Sequence, residues 1–423
     1  MGIWSHFRFK WTFISTEFAN AIQQILYTIM AMNILRAKCS TASAKPAILS
    51  AQIRPAVGPE SLEPRITFST DIGLGSLSAA GVLALALTGD ADAFQVVHVG
   101  AGIGGEVVKV KNLASGLEQT FSGVKSILAD GGAGDDLLDF SSGSLSSQVT
   151  FAGGDGLDTI VGPAGDTTWV IDGENAGSAG ANIHFLQVEN ATGAADNQDR
   201  FVFEQTGSLA GTVSGGSGGY DTVVLNGFYS KVGYEATGAQ SGNLRLDAQR
   251  VAFAGMEPIT ITNVTPEVTV EGTALADQLT LRKDTSGRMI LEGNIESINF
   301  PNPTKELIVK GLLGNDTITI ASLDPAFSGK LSVYGEEANS LVTLSDLFNS
   351  DTVIFSGDIA TKGGNLTVLA HNIEVKPGVT ISTEGATPTA KKGDIDFRAR
   401  TVTISDLQTY SPIVIDPRQS TSI

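Results

Sequence analysis

From Leu77 onward this chain never sustains the spacing of a long helix. Short runs of Val, Ile, Leu, Phe and Thr are cut every few residues by Gly, Asp, Ser and Asn. That alternation of sharp turn and brief strand limits what the chain can build. Thr150-Phe151, Val223-Val224-Leu225, Leu279-Thr280-Leu281 and Ile318-Thr319-Ile320 are rich in β-branched residues and read as short strands. The turns ahead of them share a form, spanning Gly131 to Asp136, Gly153 to Asp158, Gly215 to Asp221, Gly272 to Asp277 and Gly311 to Asp316. Looser copies lie at Gly89 to Phe94 and Gly193 to Phe201. A repeat of turn plus strand cannot bury its own apolar face, so its units are expected to stack. From Leu366 to Ile404 the rhythm changes to apolar pairs two residues apart: Leu366/Val368, Ile373/Val375, Val379/Ile381, Ile395/Phe397 and Val402/Ile404. Each pair suits one strand with both side chains turned inward, leaving Lys362, Lys391 and Lys392 in loops. The expected fold is mostly β, a parallel β-solenoid.

Charge narrows the function. Asp and Glu outnumber Lys and Arg by 45 to 27, a surface that repels nucleic acid and attracts cations. The 42% hydrophobic content is too high for simple disorder, so the chain is expected to fold, at least with its ions bound. A single cysteine, Cys39, excludes an internal disulfide framework and a Cys-based zinc site.

The organisation expected along the chain is an N-terminal helical segment (1–38), a linker (39–76), a repeat region (77–265), a second, degenerate repeat region (266–344) and a β-helix-like tail (345–423). Phe18, Ile22, Ile25 and Ile29 recur at helical spacing, placing the helix from about Phe13 to Leu35. Glu17, Asn20, Gln23 and Gln24 interrupt it, so no stable membrane span is expected. Ile25 to Met32 followed by Ala42-Ser43-Ala44 loosely resembles a cleaved signal, although Arg36 and Lys38 lie between them. Pro46, Pro55 and Pro59 mark the linker. The tail ends without an evident polar cap, as a truncated solenoid would.

Two turns carry more information than the rest. Gly131-Gly132-Ala133-Gly134-Asp135-Asp136-Leu137-Leu138-Asp139 and Gly153-Gly154-Asp155-Gly156-Leu157-Asp158-Thr159-Ile160-Val161 both match the nonapeptide G-G-x-G-x-D-x-U-x in full. This part of the chain resembles the hemolysin-type (RTX) calcium-binding repeats, which implies a β-roll with one ion between consecutive turns on the same side. Calcium takes six to eight oxygens, and a turn supplies carbonyls to it only by bending sharply inward, which glycine permits. The resemblance assigns the ion to Gly131, Gly132, Ala133, Gly134 and Asp136 with Gly153, Gly154, Asp155, Gly156 and Asp158. Leu138 and Ile160 would fill the core. The two matches begin 22 residues apart, one lap with an excess of about four residues near Ser141 to Ser147. Asp221, Asp277 and Asp316 are weaker candidates, because their turns gain a residue or lose glycines. Ordinary Gly/Asp turns that hold no ion are the alternative reading of all of them.

Leu62-Glu63-Pro64-Arg65-Ile66-Thr67-Phe68-Ser69-Thr70-Asp71 resembles the LEPR-XLL motif of very large repetitive bacterial surface proteins, with Thr67 and Phe68 in place of the usual leucines. That resemblance implies a location outside the cell or on its surface.

No catalytic constellation stands out. His6, His98, His184 and His371 are dispersed, the last three in strand-like runs, without metal-ligand or triad spacing. Gly100 to Gly105 lacks the helix a dinucleotide loop opens and reads as a hairpin, with Glu106 to Val110 as its next strand. The expected function is a secreted, calcium-binding adhesin or structural surface component, not an enzyme. Its partners would be calcium ions and a cell-surface glycan or protein. A polysaccharide-cleaving enzyme on a β-solenoid and an inert spacer are the alternatives.

Overall fold

A computed structural model of the chain describes residues 73–335, 350–387, 389–405, 408–409 and 413–415. The helix expected from Phe13 to Leu35, Cys39 and the LEPR-like motif lie outside the described residues. Residues 69–423 form one compact unit.

The described residues contain strands and no helix, and most strands belong to two long sheets of 17 and 16 strands. Successive strands alternate between the sheets. Ser126–Ala133 lies in the first, Leu137–Asp139 in the second, Gln148–Asp155 in the first again and Thr159–Val161 in the second. Each pairs in parallel with the strand one lap away, so Ile127 lies beside Val149 and Leu138 beside Ile160. Pairing of this kind also crosses the sequence positions near 265 and 344, where Val232 lies beside Val268 and Ile318 beside Val353.

The period-two pattern explains why the sheets face each other. Inward positions of consecutive laps are Val, Ile, Leu and Phe with essentially no exposure, and they join in one cluster from Leu74 to Val402. Leu138 and Ile160 belong to it, as do Trp169 and Phe201, which stack at 5.1 Å. Of the apolar pairs of the tail, Leu366, Val368, Ile373, Val375, Val379, Ile381, Ile395, Phe397 and Val402 are buried and Ile404 is half-buried against the core, and Lys362, Lys391 and Lys392 lie outside strands.

The sheets are not purely parallel. Four times the chain makes an antiparallel triple within one sheet before crossing. The triples begin with Ala93–Gly102, Thr168–Gly173, Lys231–Gly238 and Gln278–Lys283. Their strands are mostly longer than those of the plain laps, and left-handed residues close several of their hairpins, including Gly104, Asn175, Asp247 and Gly287. A triple adds two strands to its own sheet. The first and third triples lie in the 16-stranded sheet and the second and fourth in the 17-stranded one, so the two sheets stay matched in length.

Candidate calcium turns

The first glycine of every repeat but the one at Gly89 makes room for its own aspartate. A Cβ on Gly131 would stand 2.2 Å from Asp136 Oδ2 and 2.3 Å from the Gly153 carbonyl oxygen. On Gly153 it would stand 2.3 Å from Asp158 Oδ2 and 2.1 Å from the Gln187 oxygen. The same conflict with the following aspartate recurs at Gly193 with Asp199, Gly215 with Asp221, Gly272 with Asp277 and Gly311 with Asp316. The later glycines of the two full nonapeptides, Gly132, Gly134, Gly154 and Gly156, have φ of 83°, 105°, 109° and 146°, which side-chain-bearing residues rarely adopt.

The carboxylates, folded back in this way, tie one lap to the next. The Asp136 amide donates to Asp158 Oδ1 at 2.8 Å, and the Asp92 amide to Asp136 Oδ1 at 2.8 Å. The Asp158 amide donates to Glu189 Oε2 at 2.9 Å. The column therefore runs Asp92, Asp136, Asp158, Glu189. The structure brings the two nonapeptides together as expected, with Gly132 beside Gly154 and Ala133 beside Asp155. The Gly134 amide donates to the Asp155 carbonyl oxygen at 2.8 Å.

Asp221, Asp277 and Asp316 lie elsewhere. Asp136 and Asp158 sit where the chain passes from the 17-stranded to the 16-stranded sheet, whereas these three sit on the return crossings, at the opposite ends of the parallel strands. There the Asp199 amide donates to Asp221 Oδ1 at 2.7 Å, the Asp277 amide to Asp316 Oδ1 at 2.8 Å and the Asp316 amide to Asp351 Oδ1 at 2.9 Å. The degenerate turns thus keep the Gly-to-Asp clamp of the full nonapeptides.

One carboxylate oxygen is used in each clamp; the other is not always satisfied. Asp136 Oδ2, Asp158 Oδ2 and Asp316 Oδ2 are buried without a hydrogen-bond partner, and their residues are 1%, 0% and 1% exposed. Among the described residues, none of Asp136, Asp158, Asp199, Asp221 or Asp316 forms an ion pair with Lys or Arg. Laps stack at roughly the 4.8 Å spacing of paired strands. Neighbouring charges about 5 Å apart repel by about 3 kcal/mol at an effective dielectric constant near 20. Burial pushes the Asp136 carboxyl up, the Asp92 amide opposes this, and the charges of Asp158, Asp92 and Asp135 reinforce it. Burial likewise raises Asp158, opposed by the Asp136 amide and reinforced by Glu189 and Asp135. Asp199 is pushed to about 6 and Asp316 to about 7, again chiefly by burial.

Such a donor set suits a hard cation. Among the described residues no group of three or more His, Cys, Asp or Glu side chains converges as a metal site. An ion at these turns would combine backbone carbonyls with one or two carboxylates, the donors calcium accepts and zinc does not prefer.

Sequence reasoning missed Asp92, Glu189, Asp199 as a clamp residue, and one further cluster. His98 Nδ1 contacts Glu106 Oε1, while Ser147 Oγ donates to Glu106 Oε2 at 2.6 Å and the Ser147 amide at 3.0 Å. Burial alone would raise Glu106, but hydrogen bonds from Ser147, His98 and Ser146 hold it below the usual carboxylate range. The cluster fastens the hairpin of Ala93–Gly102 and Gly105–Asn112 to the loop after Phe140. His98 and His184 lie in strands, but His371 sits in a bend between Leu366–Leu369 and Asn372–Val375, because the lap turns there.

No family profile matches the chain, and searches of curated proteins and of solved structures also return no match.

Proposed function

We propose that this chain is a calcium-stabilised repeat protein of a bacterial surface, wound as a parallel β-solenoid with β-roll-like turns and acting as an adhesin or structural component. The observation that carries the reading is the column of carboxylates without cationic partners among the described residues, of which Asp136 and Asp158 are fully buried and each leave one oxygen unsatisfied. A buried charge of this kind is costly unless a cation or a proton compensates it. When bound, calcium would supply that compensating charge. Gly131, Gly132, Ala133, Gly134 and Asp136, with Gly153, Gly154, Asp155, Gly156 and Asp158, would supply its oxygens. The nonapeptide match and the LEPR-like motif support a location outside the cell, where millimolar calcium drives folding by mass action. Asp221, Asp277 and Asp316 would form secondary sites.

A second reading, a spacer that needs no ion, is favoured by the clamp itself, since Oδ1 of each aspartate already holds the preceding lap. Calorimetry separates the two. Titrating calcium into the parent is expected to release heat that the double variant Asp136→Ala, Asp158→Ala has lost. Absence of that difference would leave the spacer.

A further inference from the structure

The outer face of the 16-stranded sheet carries a cleft of about 320 Å³ across the strands Ser241–Leu246, Lys231–Gly238, Glu267–Glu271 and Glu306–Lys310. Register explains why a cleft lies there. Gly233, Thr269 and Ile308 stand side by side as the middle of three outward rows. The row on one side begins Lys231, Glu267, Glu306, and the row on the other begins Glu235, Glu271, Lys310. Gly233 and Thr269 are the short members of that row, and they leave a trough between the two rows of long side chains, bounded by Ile308 and by the Arg245 side chain.

Arg245, opposite Gly233, stands at one end, and its guanidinium reaches Glu235 at 2.6 Å. At the other end Ser332 is covered, its Oγ donating to Glu306 at 2.7 Å. The walls are cross-braced: Glu267 pairs with Lys231 at 2.8 Å and with Lys305 at 3.0 Å, and Glu271 with Lys310 at 2.5 Å. Asp247 also lines the trough and accepts the Ser230 and Lys231 amides, so carboxylates outnumber cations in the lining and offer no net attraction to a polyanion. The trough still presents many unused donors and acceptors, since an ammonium has three N–H groups and a carboxylate about four lone-pair positions.

We infer that this cleft binds a short stretch of a neutral, hydroxyl-rich polysaccharide, laid across the strands over Gly233 and Thr269. Hydroxyl groups match fixed donors and acceptors on both walls without having to break the ion pairs. The cleft's size is at the lower end of small-ligand sites, and its lining has no exposed aromatic ring, so affinity per site is weak and avidity would come from several copies on one surface. The inference rests on the surface-binding part of the proposed function and on none of the calcium turns, whose residues do not line the cleft.

The test is affinity electrophoresis of the full chain, with calcium present, through native gels containing soluble β-glucan, mannan or polygalacturonate, and through plain gel. At least one neutral polysaccharide is expected to halve the mobility or better, while polygalacturonate has no such effect. Gly233→Trp fills the trough from a half-buried position on the sheet's outer face, where the atoms nearest the added Cβ belong to the Arg245 side chain, at 3.4 Å or more, and Arg245→Ala removes its end. Both are expected to restore plain-gel mobility with melting temperatures within a few degrees of the parent. Retardation by polygalacturonate alone, no retardation by either neutral polymer, or equal retardation of a folded Gly233→Trp overturns the inference. Should one variant fail to fold, the other decides. Loss of the calcium heat in calorimetry with retardation intact would sink the calcium reading and leave this one standing.

Discussion

Gly131 and Gly89 each open a Gly-to-Asp repeat in the sequence, but only one is irreplaceable. A methyl group on Gly131 would meet Asp136 Oδ2 and the Gly153 oxygen, whereas nothing lies within 4 Å of the same position on Gly89. Gly131→Ala is therefore expected to destabilise by roughly 2 to 4 kcal/mol, and Gly89→Ala by less than about 0.5 kcal/mol, in denaturant titrations of the two variants. Equal effects would mean that the clamp does not hold the turn. Asp158 separates its structural and electrostatic roles. Asn keeps an acceptor for the Asp136 amide and removes the charge. In chelator, Asp158→Asn is expected to melt at or above the parent, and in calcium to gain less than the parent gains. Asp158→Ala, which leaves the amide without a partner, is expected to lose about 1 to 3 kcal/mol in both. The glycines and aspartates of the two nonapeptides were legible from sequence because the motif repeats in full. Asp92 and Glu189 were not, since they complete the column only through pairing over 44 and 31 residues and sit in no full nonapeptide.

Among the elements, strands declared themselves by period two, and the tail most clearly. Ile373 in Asn372–Val375 is 1% exposed and lies between Val353 and Val402. Ile373→Asp would bury an unpaired carboxylate and is expected to cost several kcal/mol, read as a melting temperature lower by ten degrees or more. A variant melting within about a degree of the parent would show that this side chain does not face the core. The antiparallel triples were less legible. A lap turn and a hairpin turn use the same residues, Gly, Asn and Asp in left-handed conformation, so turn chemistry does not say whether the chain crosses to the facing sheet or doubles back. Only the hairpin of Gly100 to Gly105 was legible, from its run of glycines. The alternation of triples between the sheets depends on the whole count of laps, which no local window contains.

For the molecule as a whole, the excess of acid over base becomes a dependence on pH and on calcium. Asp199 and Asp316, held near 6 and 7 in the fold, would titrate near 4 in the unfolded chain. Raised carboxyls favour the folded state fully below about pH 4, and that contribution is lost as pH rises through 6 to 7. Glu106 and Glu267, held low, act oppositely and lose their contribution only as pH falls below about 4. In chelator the protein is therefore expected to melt lower at pH 8 than at pH 5, a difference that added calcium reduces or reverses. The most direct test of the central claim follows circular dichroism of the full chain at pH 7.5 during melting, in chelator, in millimolar calcium and in millimolar magnesium. Calcium is expected to raise the melting temperature and the β signal, and magnesium to do so much less, because it demands near-octahedral geometry and sheds its water reluctantly. Superimposable spectra and melting curves in all three solutions would contradict the account.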